Sequence, residues 1–314
     1  MVSLADVQAA RLRIAPYVRR TPLQAATNLQ RALPSGELWL KLEHMQVSGS
    51  FKARGALNKL LSLPDEVVRR GVITASGGNH GLAVAYASWL AGVPAYVYLP
   101  RNTPASKAEK LRAWGAEVIV TGEVWDDANA AALERAEREG ISYIHPFADP
   151  AVIAGQGTLA LEVLEDLPQV DTILVAIGGG GLISGVARAA KVLKPAVRII
   201  GVEPTGAPTL KASLAADALV VLPEISTRAN TLAPRQSAAL NFEIIRQEVD
   251  EIVLVSDAAM LEAARWLWFE LGIAAELSGA AATAALLSGA FVPSGAERIC
   301  ALVCGVGTDG INFS

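Results

Sequence analysis

Cysteine is nearly absent: the 314-residue chain carries two, Cys300 and Cys304, both on one apolar, strand-like run. Four residues of strand rise separate them by about 13 Å, too far for a disulfide, whose Cα atoms lie within about 7 Å of each other. Histidine is almost as scarce. His44, His80 and His145 are scattered and no Cys-x-x-Cys occurs, which leaves no zinc ligand set in view. Charge is low and balanced, with 18% Asp, Glu, Lys and Arg, a net charge of -4 and no basic block. That argues against a nucleic-acid surface and points to a small partner. Two stretches, 81–100 and 277–296, lack charge altogether. Gly92-Val93-Pro94 breaks the first, and Gly289 and Pro293 lie inside the second, so both read as buried helices with turns rather than membrane spans. The unbroken apolar segment of an export signal is missing, because Asp6 and Arg11 stand in its place. The expected location is the cytoplasm. No Gly-x-Ser-x-Gly elbow occurs, which sets aside a serine hydrolase.

The chain has plenty of core material. Hydrophobic residues, counted with Tyr and Cys, make up 52%, ample for a globular chain and too much for a disordered one. Its length suggests two domains at about 150 residues each. Short β-branched runs alternate with Ala-rich helical stretches across Gly, Ser and Pro punctuation, the pattern of an α/β fold. Ser3 and Asp6 form a capping box for a first helix that stops before Pro16. Strands are expected at 38–42, 72–75, 95–99, 117–120, 142–144, 172–177, 198–202, 252–255 and 299–303, and a helix at 51–63. Pro104 starts a helix that Gly115 follows, and Gly140 follows the charged helix 126–139. Trp266, Trp268 and Phe269 share a helix where core packing and subunit contact are both open.

Three constellations carry chemistry. Gly178-Gly179-Gly180-Gly181 joins a strand to a helix that starts near Leu182. Without Cβ atoms the backbone can approach an anion, and the helix start supplies N–H groups toward it. No Lys-Ser or Lys-Thr follows, so this is not a triphosphate loop. A dinucleotide fold stays open, because Gly179, Gly181 and Ser184 approximate its fingerprint and Glu203 ends the next strand. The second constellation is Ser48-Gly49-Ser50-Phe51-Lys52-Ala53-Arg54-Gly55. A lysine at a helix N-terminus is disfavoured as a cation by the dipole and by partial burial, which favours a neutral amine able to form a Schiff base. The third is Ser76-Gly77-Gly78-Asn79-His80-Gly81, whose small residues and successive N–H groups make a nest for a carboxylate. His80 could equally be a satisfied helix-start histidine.

In this order the three motifs resemble the fold-type II enzymes that use pyridoxal 5'-phosphate, specifically the serine/threonine dehydratase (threonine ammonia-lyase) and serine racemase group, over nearly the whole chain. The resemblance implies a tryptophan synthase β-like α/β fold of two domains, each a twisted, mostly parallel sheet flanked by helices. The large domain would hold 1–70 and 149–314, and a small mobile domain 71–148. It implies Lys52 as the catalytic, Schiff-base lysine, with Phe51, Asn79, Gly178, Gly179, Gly180, Gly181, Leu182 and Cys304 around the cofactor. Asn79 would face the 3'-hydroxyl, and Cys304 the pyridine nitrogen. Ser76, Gly77, Asn79 and His80 would hold the amino acid substrate. Glu203 and Ala207 resemble a cation loop, but Thr209 replaces its acidic ligand, which disfavours a divalent metal and leaves room for a monovalent cation. The implied activity is elimination of the β-hydroxyl of threonine, serine or a related 3-hydroxy amino acid by a homo-oligomer, most simply a dimer. Another β-elimination or β-replacement enzyme, such as a synthase, is the alternative. Gly77 stands where racemases carry a second base, so little racemisation is expected. Asn230 and Thr231 replace Asp and Gly of the relatives beside the substrate. Nothing follows Ser314 to serve as the regulatory domain of longer relatives, so control through one is not expected.

Overall fold

Alternating β-branched and Ala-rich segments resolve into two sheets, each covered by helices. The structure, a computed structural model, describes residues 2–31 and 35–311. Its strands are β1 (Leu23–Ala25), β2 (Glu37–Lys41), β3 (Val72–Ala75), β4 (Ala95–Leu99), β5 (Glu117–Val120), β6 (Ser142–Tyr143), β7 (Thr172–Ala176), β8 (Arg198–Pro204), β9 (Glu251–Val255) and β10 (Arg298–Leu302). Its helices are α1 (Leu4–Ile14), α2 (Lys52–Leu61), α3 (Asp65–Val68), α4 (Asn79–Ala91), α5 (Ala105–Ala113), α6 (Trp125–Glu139), α7 (Pro150–Asp166), α8 (Gly181–Leu193), α9 (Thr209–Ala215), α10 (Ala239–Glu248), α11 (Asp257–Leu271) and α12 (Leu277–Leu287).

One sheet has six strands in the order β1-β2-β10-β7-β8-β9, and the other has four in the order β5-β4-β3-β6. Every pairing between these strands is parallel except β1 with β2. Parallel neighbours need a crossover, and the Ala-rich helices supply it. The four-stranded sheet is built wholly from 72–143, between α3 and α7. Strands buried on both faces read as continuous apolar runs, and all five residues of β7 are buried. The uncharged stretch 277–296 begins with α12, whose residues Leu277–Leu286 are all buried, so it is a core helix. Among the described residues no helix is long and apolar enough to cross a membrane. The Ser3–Asp6 capping box forms as expected, and Gly140 ends α6 in the left-handed conformation. Cys300 and Cys304 are both buried and free. Trp266 belongs to the core and donates its indole N–H to Arg31 O at 3.1 Å, whereas Phe269 is 64% exposed.

The helix that begins at Lys52 is seated by a close crossing and by buried charge. A Cβ on Gly155 would lie 2.7 Å from Gly55 Cα, so α2 and α7 meet backbone to backbone at two glycines. Beside that crossing Arg54 is pinned between two carboxylates, Nη2 to Glu43 Oε1 at 2.7 Å and Nη1 to Glu162 Oε1 at 2.7 Å. Lys41 Nζ completes the cluster, 2.6 Å from Glu162 Oε2 and 2.7 Å from Thr21 O. Two buried cations face two buried anions, which is the condition under which buried charge is tolerated.

Candidate active site

Loops at the carboxyl ends of parallel strands are where such sheets build sites. The segment after β2, the glycine turn after β7, Glu203 near the end of β8 and Cys304 just past β10 all emerge at that edge of the six-stranded sheet. Backbone hydrogen bonds tie two of these together. Phe51 N–H donates to Cys304 O at 3.3 Å and Val306 N–H to Gly49 O at 2.9 Å. Ser48 and Gly49, with φ of 60° and 83°, turn the chain so that α2 can begin at Lys52.

Lys52 Nζ donates to Pro146 O at 2.6 Å and sits 5.2 Å from the Phe51 ring centroid. Burial pushes its amine down to about 8, so part of the population is neutral and nucleophilic near neutral pH. Pro146 lies on the segment that returns from β6 to α7. There His145 Nδ1 accepts the N–H groups of Phe147 and Ala148 at 3.2 and 2.8 Å, folding a tight turn. The Phe147 ring packs on the glycine turn: a Cβ on Gly179 would lie 2.3 Å from it. Gly181 is needed for the same contact, Gly178 for approach to Thr231 O, and Gly180 for its φ of +92°. The glycines are therefore required by packing and backbone conformation. Ser184 N–H reaches back to Gly180 O at 2.9 Å, which leaves the N–H groups of Gly181, Leu182 and Ile183 without intrahelical acceptors at the start of α8.

The opposing wall comes from the other sheet, at the end of β3. Ser76 Oγ accepts Gly78 N–H at 3.3 Å. A cavity of about 290 Å³ has Gly77, Gly78 and Asn79 on this wall and Thr231, Glu276 and Ser278 facing them. Lys52 and the glycine turn are not in its lining, although Gly178 of the turn packs against Thr231, which is. His80 is spent elsewhere, since its Nε2 bonds Ile144 O at 2.9 Å and burial, with Lys52 nearby, pushes the ring down to about 3. It is a neutral interior imidazole whose Nε2 is engaged and whose Nδ1 has no protein partner among the described residues.

Glu276 is the residue that sequence reasoning missed. Its Oε1 accepts Asn79 Nδ2 at 2.7 Å, and burial pushes its carboxyl up to about 7 although that bond opposes the shift. A signal was there, because Glu276 is the sole charged residue between Glu270 and Glu297. Cys304 Sγ donates to Ser278 O at 3.4 Å, and burial, reinforced by Glu276, holds the thiol above its ordinary value and uncharged. Glu203 is buried and caps α9, accepting Leu210 N–H at 2.7 Å and Lys211 N–H at 2.9 Å. The acid that a dinucleotide ribose would need is thereby engaged, which removes that rival's main support. Ala207 is buried in the same turn, and among the described residues no cluster of three His, Cys, Asp or Glu could hold a metal.

Residues 14–305 match the family model described as pyridoxal-phosphate dependent enzyme. The chain belongs to this family. It is a fold-type II pyridoxal-phosphate enzyme of the threonine dehydratase and serine racemase group. It is 41% identical over 288 residues to L-threonine ammonia-lyase of Thermotoga maritima, covering 92% of this chain and 72% of that one. With serine racemase of Oryza sativa subsp. indica it shares 40% over 291 residues, 93% of this chain and 85% of the relative. Among solved structures it matches the threonine deaminase of T.th. at a TM-score of 0.91 and 40% identity, covering 99% of both chains. Maize serine racemase matches at 0.93 and 38%, covering 98% of this chain and 94% of the other.

Proposed function

We propose that this pyridoxal-phosphate enzyme is an ammonia-lyase that eliminates the β-hydroxyl of L-threonine, L-serine or a related 3-hydroxy amino acid, giving a 2-oxo acid and ammonia. The observation that carries the reading is the asymmetry of the site. Lys52 supplies one desolvated amine, while Gly77, on the cavity wall, supplies no proton-transfer group at all.

The residues present fit the cofactor. Lys52 is the amine for its aldehyde, the unspent N–H groups at the start of α8 suit its phosphate, Asn79 suits its 3'-oxygen, and the uncharged Cys304 thiol suits its ring nitrogen. When bound, the group supplies an electron sink for charge developing at the substrate Cα. Backbone amides between Ser76 and His80 hold the substrate carboxylate. Lys52, once freed by the substrate amine, takes the Cα proton on Nζ. Cys304 has no charge with which to keep a proton on the ring nitrogen, which would favour elimination: the β-hydroxyl takes a proton and leaves as water, and the enamine left behind takes up water to give the 2-oxo acid and ammonia. The small unit 71–148 carries the carboxylate wall and moves against the rest. The protein works in the cytoplasm as a homo-oligomer, for which Trp268 and Phe269 offer exposed apolar surface.

Release of ammonia and 2-oxo acid from a panel of 3-hydroxy amino acids tests the activity; D-serine formed from L-serine with no 2-oxo acid rejects it. Two substitutions test the assignments. In Gly77→Ser the new Cβ meets Thr103 Cγ2 at 3.1 Å and Leu99 Cδ2 at 3.2 Å, a fit that two flexible side-chain ends can accommodate. The added hydroxyl should raise racemisation relative to elimination by about tenfold or more, read by chiral analysis of the serine pool. Cys304→Asp places a carboxylate where it keeps the ring nitrogen protonated. Elimination should slow about tenfold and transamination rise; unchanged turnover and product ratio would count against the thiol's role.

A further inference from the structure

Glu276 has no part of its own in the proposed reaction, yet it is buried, acidic and bonded to Asn79, which does. We infer that Glu276 is a positioning residue: by accepting one N–H of the Asn79 amide, it makes Asn79 present its other N–H, and not its carbonyl, to the 3'-oxygen of bound pyridoxal phosphate. This rests on the cofactor arrangement proposed above and adds a determinant to it.

A side-chain amide is nearly symmetric in shape but not in hydrogen bonding, and its orientation is set by its neighbours. Above about pH 7 the Glu276 carboxyl is ionised and only accepts, so there Asn79 turns Nδ2 toward Glu276 Oε1, at 2.7 Å. The flipped amide would set two oxygens against each other. Among the described residues the amide's remaining N–H and its Oδ1 have no protein partner, so Glu276 alone sets the choice. The fold makes room for the contact and holds it. A Cβ on Gly305 would lie 2.3 Å from Glu276 Oε1 and 3.0 Å from Asn79 Nδ2, so a bare backbone is required just past Cys304. Glu276 N–H donates to Gly305 O at 3.2 Å, and Leu277 N–H to Asp309 Oδ2 at 2.8 Å, which fixes the start of α12. The groups facing the carboxyl are Asn79, Asp309, Lys107 and the Thr231 hydroxyl, with Cys304 close by.

An N–H donated to the 3'-oxygen stabilises its negative charge and loosens its hold on the proton carried by the nitrogen of Lys52. Losing that N–H should raise the pH at which the proton leaves. A direct field effect of the Glu276 charge has the opposite sign, because removing an anion makes a nearby proton easier to lose. The experiment is a pH titration of the visible absorption of the protein reconstituted with pyridoxal phosphate, in wild type, Glu276→Ala, Glu276→Gln, Asn79→Ala and the Glu276→Ala/Asn79→Ala double variant. Glu276→Ala should move the midpoint up by about one pH unit. Glu276→Gln, which keeps an acceptor oxygen, should restore most of the wild-type value. Glu276→Ala should add nothing once Asn79 is gone, as expected of a residue acting through another. Glu276→Met fills the volume and gives the same readout if the alanine variant is unstable. A midpoint that falls, stays put, or shifts equally in the Asn79→Ala background overturns the inference alone. A wild type that binds no pyridoxal phosphate overturns the proposed cofactor arrangement with it.

Discussion

Lys52→Ala is expected to reduce 2-oxo acid formation by at least about a thousandfold while leaving folding stability close to wild type. Both halves follow from the environment of the amine. Among the described residues Lys52 makes no ion pair; its Nζ is bonded to the Pro146 carbonyl and lies near an aromatic ring. Removing it strands one carbonyl, a cost of about 1 kcal/mol, and relieves the desolvation that pushes the amine down to about 8. The two effects offset. Activity has no such compensation, because in the proposed mechanism the same nitrogen bonds the cofactor and takes the Cα proton. Ammonia release beside a urea unfolding curve checks the pair of expectations.

The opposite pattern is expected two residues away. Arg54→Leu should cost about 3–5 kcal/mol of stability, the range seen when one partner of a buried ion pair is removed. The arginine is 1% exposed and separates Glu43 from Glu162. Burial pushes the Glu43 carboxyl up, but Arg54, Thr21 and Lys41 more than reverse that and hold it below its ordinary 4.5. A carboxyl with a depressed folded-state pKa stabilises the fold above its unfolded value and loses that contribution as pH falls through the folded one. Wild type should therefore weaken as pH drops below about 4.5, and Arg54→Leu should lack that dependence because Glu43 no longer gains on folding. Arg54→Leu combined with Glu162→Leu should recover part of the loss. Urea midpoints across pH measure all three.

Local signals read well where punctuation bounds them. The strands at 72–75, 95–99 and 117–120 appear with the expected bounds, each a β-branched or aromatic run following Gly or Pro turns. Helix α2 begins one residue later and ends two earlier than expected, since its start is fixed by the turn at Ser48 and Gly49. β1 was not legible: three residues have no measurable period, and the strand exists through its pairing with β2. The candidate site divides in the same way. Lys52, the glycine turn and the Ser76–His80 nest are contiguous motifs whose residue types declare their chemistry. Phe147 over Gly179, Glu276 against Asn79 and the Arg54 cluster are contacts between residues far apart in sequence, set by sheet order and helix packing. His80 shows the limit from the other side. Position placed it in the carboxylate nest, and the sequence carried no sign that its Nε2 bonds Ile144 O in the interior.

Borohydride reduction of the protein reconstituted with pyridoxal phosphate, followed by peptide mapping, tests the central claim most directly. The account predicts loss of the visible absorption and a stable mass adduct on the peptide containing Lys52. An adduct confined to another lysine, or a protein that carries nicotinamide dinucleotide and acquires no adduct, would contradict it.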